Sequence, residues 1–212
     1  MALRDLLAQT VVSLLLCSVA FAQYKAEPSG AVPAETPAPM AAVLQKQGTK
    51  VATPKAPFYE IWFVNQMPTG PKSSERDLTL PEVPHGALIG VIKINDKQMD
   101  RRGDQMKPGL YTMRYSYYPV NGAHQGVAPQ RDFLVLSLVS LDPDPASKPD
   151  FKTLVDLSEK SAGIPHPYVL SLWKQDSEFQ AGLAKQGEKD WVLQTKIGDT
   201  PLALILVGVG EN

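Results

Sequence analysis

The chain carries three histidines, His85, His124 and His166. Each stands just ahead of a hydrophobic run and close to Gly or Pro, as His85-Gly86, Asn121-Gly122-Ala123-His124 and Pro165-His166-Pro167. Imidazoles on strand-end loops can gather at one end of a β fold. With a carboxylate, Asp132 or Asp100, they would form a nitrogen/oxygen site for a divalent metal such as zinc. A set of His85, His124, His166 and Asp132 would suit a metal-dependent hydrolase. No H-E-x-x-H is present, however, and the plainer role of a loop histidine is ordinary hydrogen bonding.

A second constellation joins Arg114, Arg131 and Asp132. Arg114 falls on the polar side of an alternating run and Arg131 at the start of the next, so the pair could present planar forks to a carboxylate or a sugar. The plainer alternative is a structural ion pair with Asp132 or Glu60. Together with His124, these residues nominate the Pro119–Asp132 loop as a ligand-binding site. Tyr111, Tyr115, Tyr117 and Tyr118, with Trp62 and Trp173, would make a sugar-stacking platform if exposed, but aromatics at period two usually belong to a core. Asp100-Arg101-Arg102-Gly103-Asp104 has the composition of a solvated turn and lacks the ligand spacing of a calcium loop. Neither a G-x-S-x-G elbow nor a glycine-rich phosphate loop occurs.

The elements that must position these residues are mostly strands. Apolar or alternating runs at Lys50–Thr53, Phe58–Val64, Ala87–Ile94, Tyr111–Tyr118, Phe133–Leu141, Tyr168–Trp173, Trp191–Ile197 and Leu202–Val209 predict about eight. Along Tyr111–Tyr118 the residues Tyr111, Met113, Tyr115 and Tyr117 share one side, and Thr112, Arg114 and Ser116 the other. Pro108-Gly109 predicts a type II turn with positive φ at Gly109. Phe151, Leu154 and Val155 recur at helical spacing after Ser147 and Asp150, and Gly163 closes that helix. Met40–Gln47 and Ser177–Ala184 predict short helical pieces. Without regular strand–helix alternation, the expected fold is mainly β: an antiparallel sandwich of about eight strands with one inserted α-helix and one or two short helices. A closed barrel is the alternative.

Residues 1–22 have the organisation of a secretory signal peptide: Arg4, an apolar Val11–Leu16 and an Ala20-Phe21-Ala22 cleavage site. Cleavage there would remove Cys17, the chain's one cysteine, leaving the mature protein without disulfides or thiolate chemistry. Residues 23–39 are rich in Pro and Ala and predict a disordered tether. Residues 40–212 then form a single domain. With 21 basic and 22 acidic residues the charge is nearly balanced, which gives no footprint for nucleic acid. After signal cleavage no run is long and apolar enough for a transmembrane helix.

From Asp100 to Leu136 the wording D-R-R-G, K-P-G-L-Y-T-M-R-Y, G-A-H-Q-G and R-D-F resembles a family of uncharacterised secreted bacterial proteins. That resemblance implies export to the periplasm or the extracellular space and carries no activity with it. The leading expectation is a non-enzymatic binding or cell-envelope module whose partner is a small molecule, a glycan or a protein. The competing one is the metal-dependent hydrolase.

Overall fold

The computed structural model describes residues 24–53, 57–118, 130–176 and 178–210. In order, the elements are β1 (Lys25–Pro28), α1 (Ala38–Val43), β2 (Thr49–Ala52), β3 (Pro57–Phe63), β4 (Leu88–Ile94), β5 (Gln98–Met99), β6 (Gln105–Met106), β7 (Gly109–Tyr117), β8 (Asp132–Leu138), α2 (Phe151–Ala162), β9 (Tyr168–Lys174), β10 (Gly182–Gln186), β11 (Asp190–Ile197) and β12 (Thr200–Val207). All eight expected strands are among them.

Ten strands form one antiparallel sheet in the order β1-β2-β3-β4-β7-β8-β9-β12-β11-β10, and β5–β6 is a separate small hairpin. The sheet curls until its first and last strands approach, nearly closing a barrel. Tyr24, just ahead of β1, meets the ring of Trp191 on β11 at 5.0 Å and that of Phe58 on β3 at 5.3 Å. The eight-stranded sandwich is therefore replaced by a single curled sheet. The reason lies in register. Ile61↔Ile92↔Tyr111↔Leu138 and Gly90↔Met113↔Leu136↔Tyr168 run on from strand to strand, so one face supplies one continuous interior. Both architectures present the same alternation in sequence, and only the pairing separates them.

Tyr111, Met113 and Tyr115 lie in the main core, as their period-two spacing predicts. The opposite side of β7 is polar yet equally buried: Thr112, Arg114 and Ser116 have no exposed surface. On the outer face of β8 and β9, Phe133, Val135 and Val169 pack with Leu154 of α2. The Asp150 side chain caps α2 by accepting from Thr153 N–H, and Gly163 ends it at φ 71°. The cap is thus Asp150 itself rather than Ser147.

β9 changes partner along its length. Tyr168–Ser171 pairs with β8, whereas Leu172–Lys174 pairs with β12. Two devices fill the resulting fork. On one side, Ser158 of α2 donates to Leu136 C=O and accepts from Tyr168 N–H. On the other, Asp100 and Arg101 take the place of a strand: Val169 N–H donates to the Asp100 carboxylate at 3.2 Å and Val169 C=O accepts from Arg101 N–H at 3.2 Å. The Asp100–Asp104 turn is accordingly no solvated charge run. Asp100 is fully buried, and Arg101 binds Asp190 at 2.6 Å.

Four local expectations change. Lys25–Pro28 is paired strand where a disordered tether was predicted, and beyond it Ser29 donates to Glu60 at 2.6 Å and Trp62 Nε1–H to Gly30 C=O at 3.0 Å. The first helix ends at Val43 instead of continuing to Gln47, because Leu44 bridges to Val64 and joins the sheet. Gly182–Gln186 is a strand because β11 offers it a partner edge, overriding the predicted helical turn. Gly109 does not have positive φ: it opens β7 opposite Ile94, so no type II turn places it in the left-handed region. Its need for glycine is steric, since a Cβ there would lie 2.9 Å from the Tyr111 ring.

Candidate ligand groove

Arg114 is the largest fully buried charged side chain among the described residues. It projects from β7 into the Asp142–Pro149 segment, where all five of its N–H groups are taken. Nε and one Nη2 hydrogen grip the Asp142 carboxylate at 2.6 and 2.7 Å. The others donate to the carbonyls of Gly86, Ser147 and Asp144 at 2.9, 2.5 and 2.6 Å. Thr112 Oγ1 also donates to Asp142, at 2.6 Å. With Arg114 0% and Asp142 4% exposed, this guanidinium has nothing left for a ligand. The expected ion pair exists, but its carboxylate is Asp142 rather than Asp132 or Glu60. Gly86 makes the close approach possible. Its φ is +76°, and a Cβ would stand 2.4 Å from the Pro149 carbonyl oxygen.

Asp132 is also enclosed. Its carboxylate accepts from Thr79 N–H at 2.8 Å, Leu80 N–H at 3.1 Å and Tyr115 O–H at 2.6 Å. It thereby ties the long 65–84 connection across the end of the sheet. Burial, then the Asp132 charge and hydrogen bond, push the Tyr115 phenol far above its ordinary range, so Tyr115 stays a donor.

Arg131, one residue earlier, is turned the other way. It donates to Tyr118 C=O at 2.8 Å, to Arg76 C=O and to Glu75 at 2.9 Å, and its guanidinium lies 5.7 Å from the centre of the Tyr117 ring. On the same tyrosine, the His85 ring makes an edge contact at 5.5 Å. These side chains, with Lys148, Pro149, Asp150 and Phe151, line an open groove of about 570 Å³. Phe151, the first residue of α2, is 44% exposed and tilts toward His85 at 6.2 Å. The two constellations nominated by residue type therefore meet here, through His85 and Arg131.

His85 is half-buried. Desolvation holds its imidazole below the ordinary range, with a hydrogen bond to the Pro149 carbonyl and the Asp150 charge pulling the other way. It is thus mostly neutral near pH 7. Nε2 lies 3.0 Å from Ser116 Oγ, a hydrogen bond whose donor depends on the imidazole tautomer. That serine–histidine contact has the atoms of a nucleophile and base, but Ser116 has no exposed surface on which to meet a substrate. In this geometry it orients the imidazole.

Of the described histidines, His85 and His166 do not come together. His166 is exposed and bonds Arg102 at 3.1 Å, beyond the Tyr168 end of β9. That end pairs, through Leu136, with Met113 and lies away from Ser116. At about 3.3–3.4 Å per residue the separation from His85 is on the order of 15 Å. His124, like the rest of 119–129, is outside the described residues. Among the described residues no three His, Cys, Asp or Glu side chains are grouped to hold a metal ion.

Glu75, Lys148, Pro149, Asp150 and Phe151 are groove residues that residue type and spacing do not nominate as a site. The signal for Glu75 was the length of its connection, Asn65–Pro84, which marks either function or mobility. Lys148 sits in Asp142–Pro149, whose Pro/Asp composition signals only a turn. No helix among the described residues is long and apolar enough to cross a membrane. No family model, curated protein or solved structure matches the chain.

Proposed function

We propose that this is an exported, non-enzymatic binding module that takes its ligand in the groove between Tyr117 and Phe151. The observation that carries this reading is the meeting of His85, Tyr117 and Arg131 beside an exposed aromatic ring in a cavity of about 570 Å³. Ligand pockets commonly combine a concave apolar lining with a few convergent polar groups in this size range. Export rests on the signal-like pattern of residues 1–22. Binding is favoured over catalysis because the serine paired with the neutral histidine is enclosed and the two described histidines stand apart.

The test is an amide-resolved NMR screen of the mature chain against a mixed library of neutral, anionic and cationic fragments. Saturable shifts centred on Tyr117, Arg131 and Phe151 are expected with at least one chemical class. If every probe leaves those three amides unmoved, the groove is not a binding site. Mass measurement of the exported protein should place its first residue at Gln23, and retention of residues 1–22 would overturn the export reading.

A further inference from the structure

We infer that the groove takes a neutral carbohydrate, an inference that rests on the groove being the binding site. Three features of its lining point to this class. The first is charge. Arg131 and Lys148 are matched by Glu75 and Asp150 on the same surface, and one cation–anion contact, Arg131 to Glu75, is already made at 2.9 Å. A net anion entering here would face two carboxylates, and a net cation would face the arginine and the lysine. An apolar ligand would strip water from four charged groups without replacing their hydrogen bonds.

The second is the pairing of flat apolar surface with those polar groups. Phe151 is 44% exposed, and the half-buried Tyr117, over whose ring the Arg131 guanidinium lies, lines the same groove. A pyranose has the matching division: an apolar C–H face to lie on an aromatic ring and hydroxyls around its edge. Each hydroxyl both donates and accepts, so it can satisfy a carboxylate on one side and a guanidinium or ammonium on the other. The third is rigidity. Arg131 is held by the Tyr118 and Arg76 carbonyls, so its guanidinium is positioned before a ligand arrives.

The experiment titrates the mature chain with cellobiose, maltose and N,N′-diacetylchitobiose, with digalacturonate as the charged counterpart, alongside the fragment library. At least one neutral sugar is expected to shift the Tyr117, Lys148 and Phe151 amides saturably. Binding of that sugar should weaken roughly tenfold in Phe151→Ala, whose exposed side chain can be lost without unfolding, as an unchanged melting temperature would verify. Digalacturonate should bind more weakly than the neutral sugar. Equal or tighter binding of digalacturonate overturns neutrality, and unchanged sugar affinity in Phe151→Ala overturns the stacking arrangement. If fragments shift these amides but none of the sugars does, the carbohydrate assignment fails while the groove stands. If nothing shifts them, both readings fall.

Discussion

Arg114 and Arg131 lie on and beside the adjoining strands β7 and β8, both end in hydrogen-bonded guanidiniums, and they do opposite things. Arg114 is wholly buried with five N–H donors on one carboxylate and three carbonyls. The Arg131 side chain is 15% exposed, pairs with a surface carboxylate and lies against the rim tyrosine of an open groove. The first fastens the Asp142–Pro149 segment to the barrel and so builds the wall of the groove. The second is part of what the groove displays. A polar side chain's accessibility, rather than its type, separates scaffold from site.

The largest effect expected from breaking this contrast is at the closed end. Asp142→Ala leaves the Arg114 cation buried without its carboxylate, and the cost should be about 3–5 kcal/mol in urea unfolding at neutral pH. A loss below about 1 kcal/mol would mean that water reaches the guanidinium and that the two arginines differ only in degree. Gly86→Ala should come next, at about 2–4 kcal/mol. It combines a left-handed φ with a Cβ driven against the Pro149 carbonyl. A wild-type midpoint would show that the Pro149 segment yields, and the groove wall with it.

A third prediction concerns a different enclosed charge, Asp100 at the β9 fork. Burial raises its carboxyl to about 6, against the lowering by hydrogen bonds from Asp104, Val169 and Arg102 N–H. The folded state then holds this proton more tightly than the unfolded chain. Asp100 therefore contributes stability below about pH 4 that is lost as pH rises through about 6. His85 has the opposite sign, since its lowered pKa favours folding as pH rises. Comparing Asp100→Asn with wild type cancels that contribution. Between pH 4 and pH 7 the variant should gain about 2–3 kcal/mol relative to wild type. A difference independent of pH would show that the backbone donors keep Asp100 ionised.

Much of the scaffold was legible because burial writes itself into period and composition. The eight hydrophobic runs became strands, Tyr111, Met113 and Tyr115 turned inward together, and Asp150 and Gly163 bracket α2. What was illegible depends on partners distant in sequence. Lys25–Pro28 has no strand pattern and is a strand because β2 pairs with it. Gly182–Gln186 owes its conformation to β11 in the same way. Asp142 lies 28 residues from Arg114 in a segment whose composition says only turn. For the groove, His85 and Arg131 could be named from residue type, but their meeting at Tyr117 could not. It requires β4 and β8 to flank β7 with both loops brought to the same end of the strand.

The smallest stability effect, and the most direct test of the comparison, is Arg131→Ala. The variant loses a partly exposed ion pair with Glu75 and two hydrogen bonds to the Tyr118 and Arg76 carbonyls, so stability should fall by about 1–2 kcal/mol. A fall of 3 kcal/mol or more would make Arg131 a second structural arginine and erase the contrast with Arg114. Tyr117 adds a separate readout, because its ring loses the cation lying 5.7 Å from its centre. Its ring proton resonances should move while those of Tyr111, deep in the core, stay in place. That pattern would make the open end of the barrel a surface whose chemistry can change without disturbing the fold that carries it.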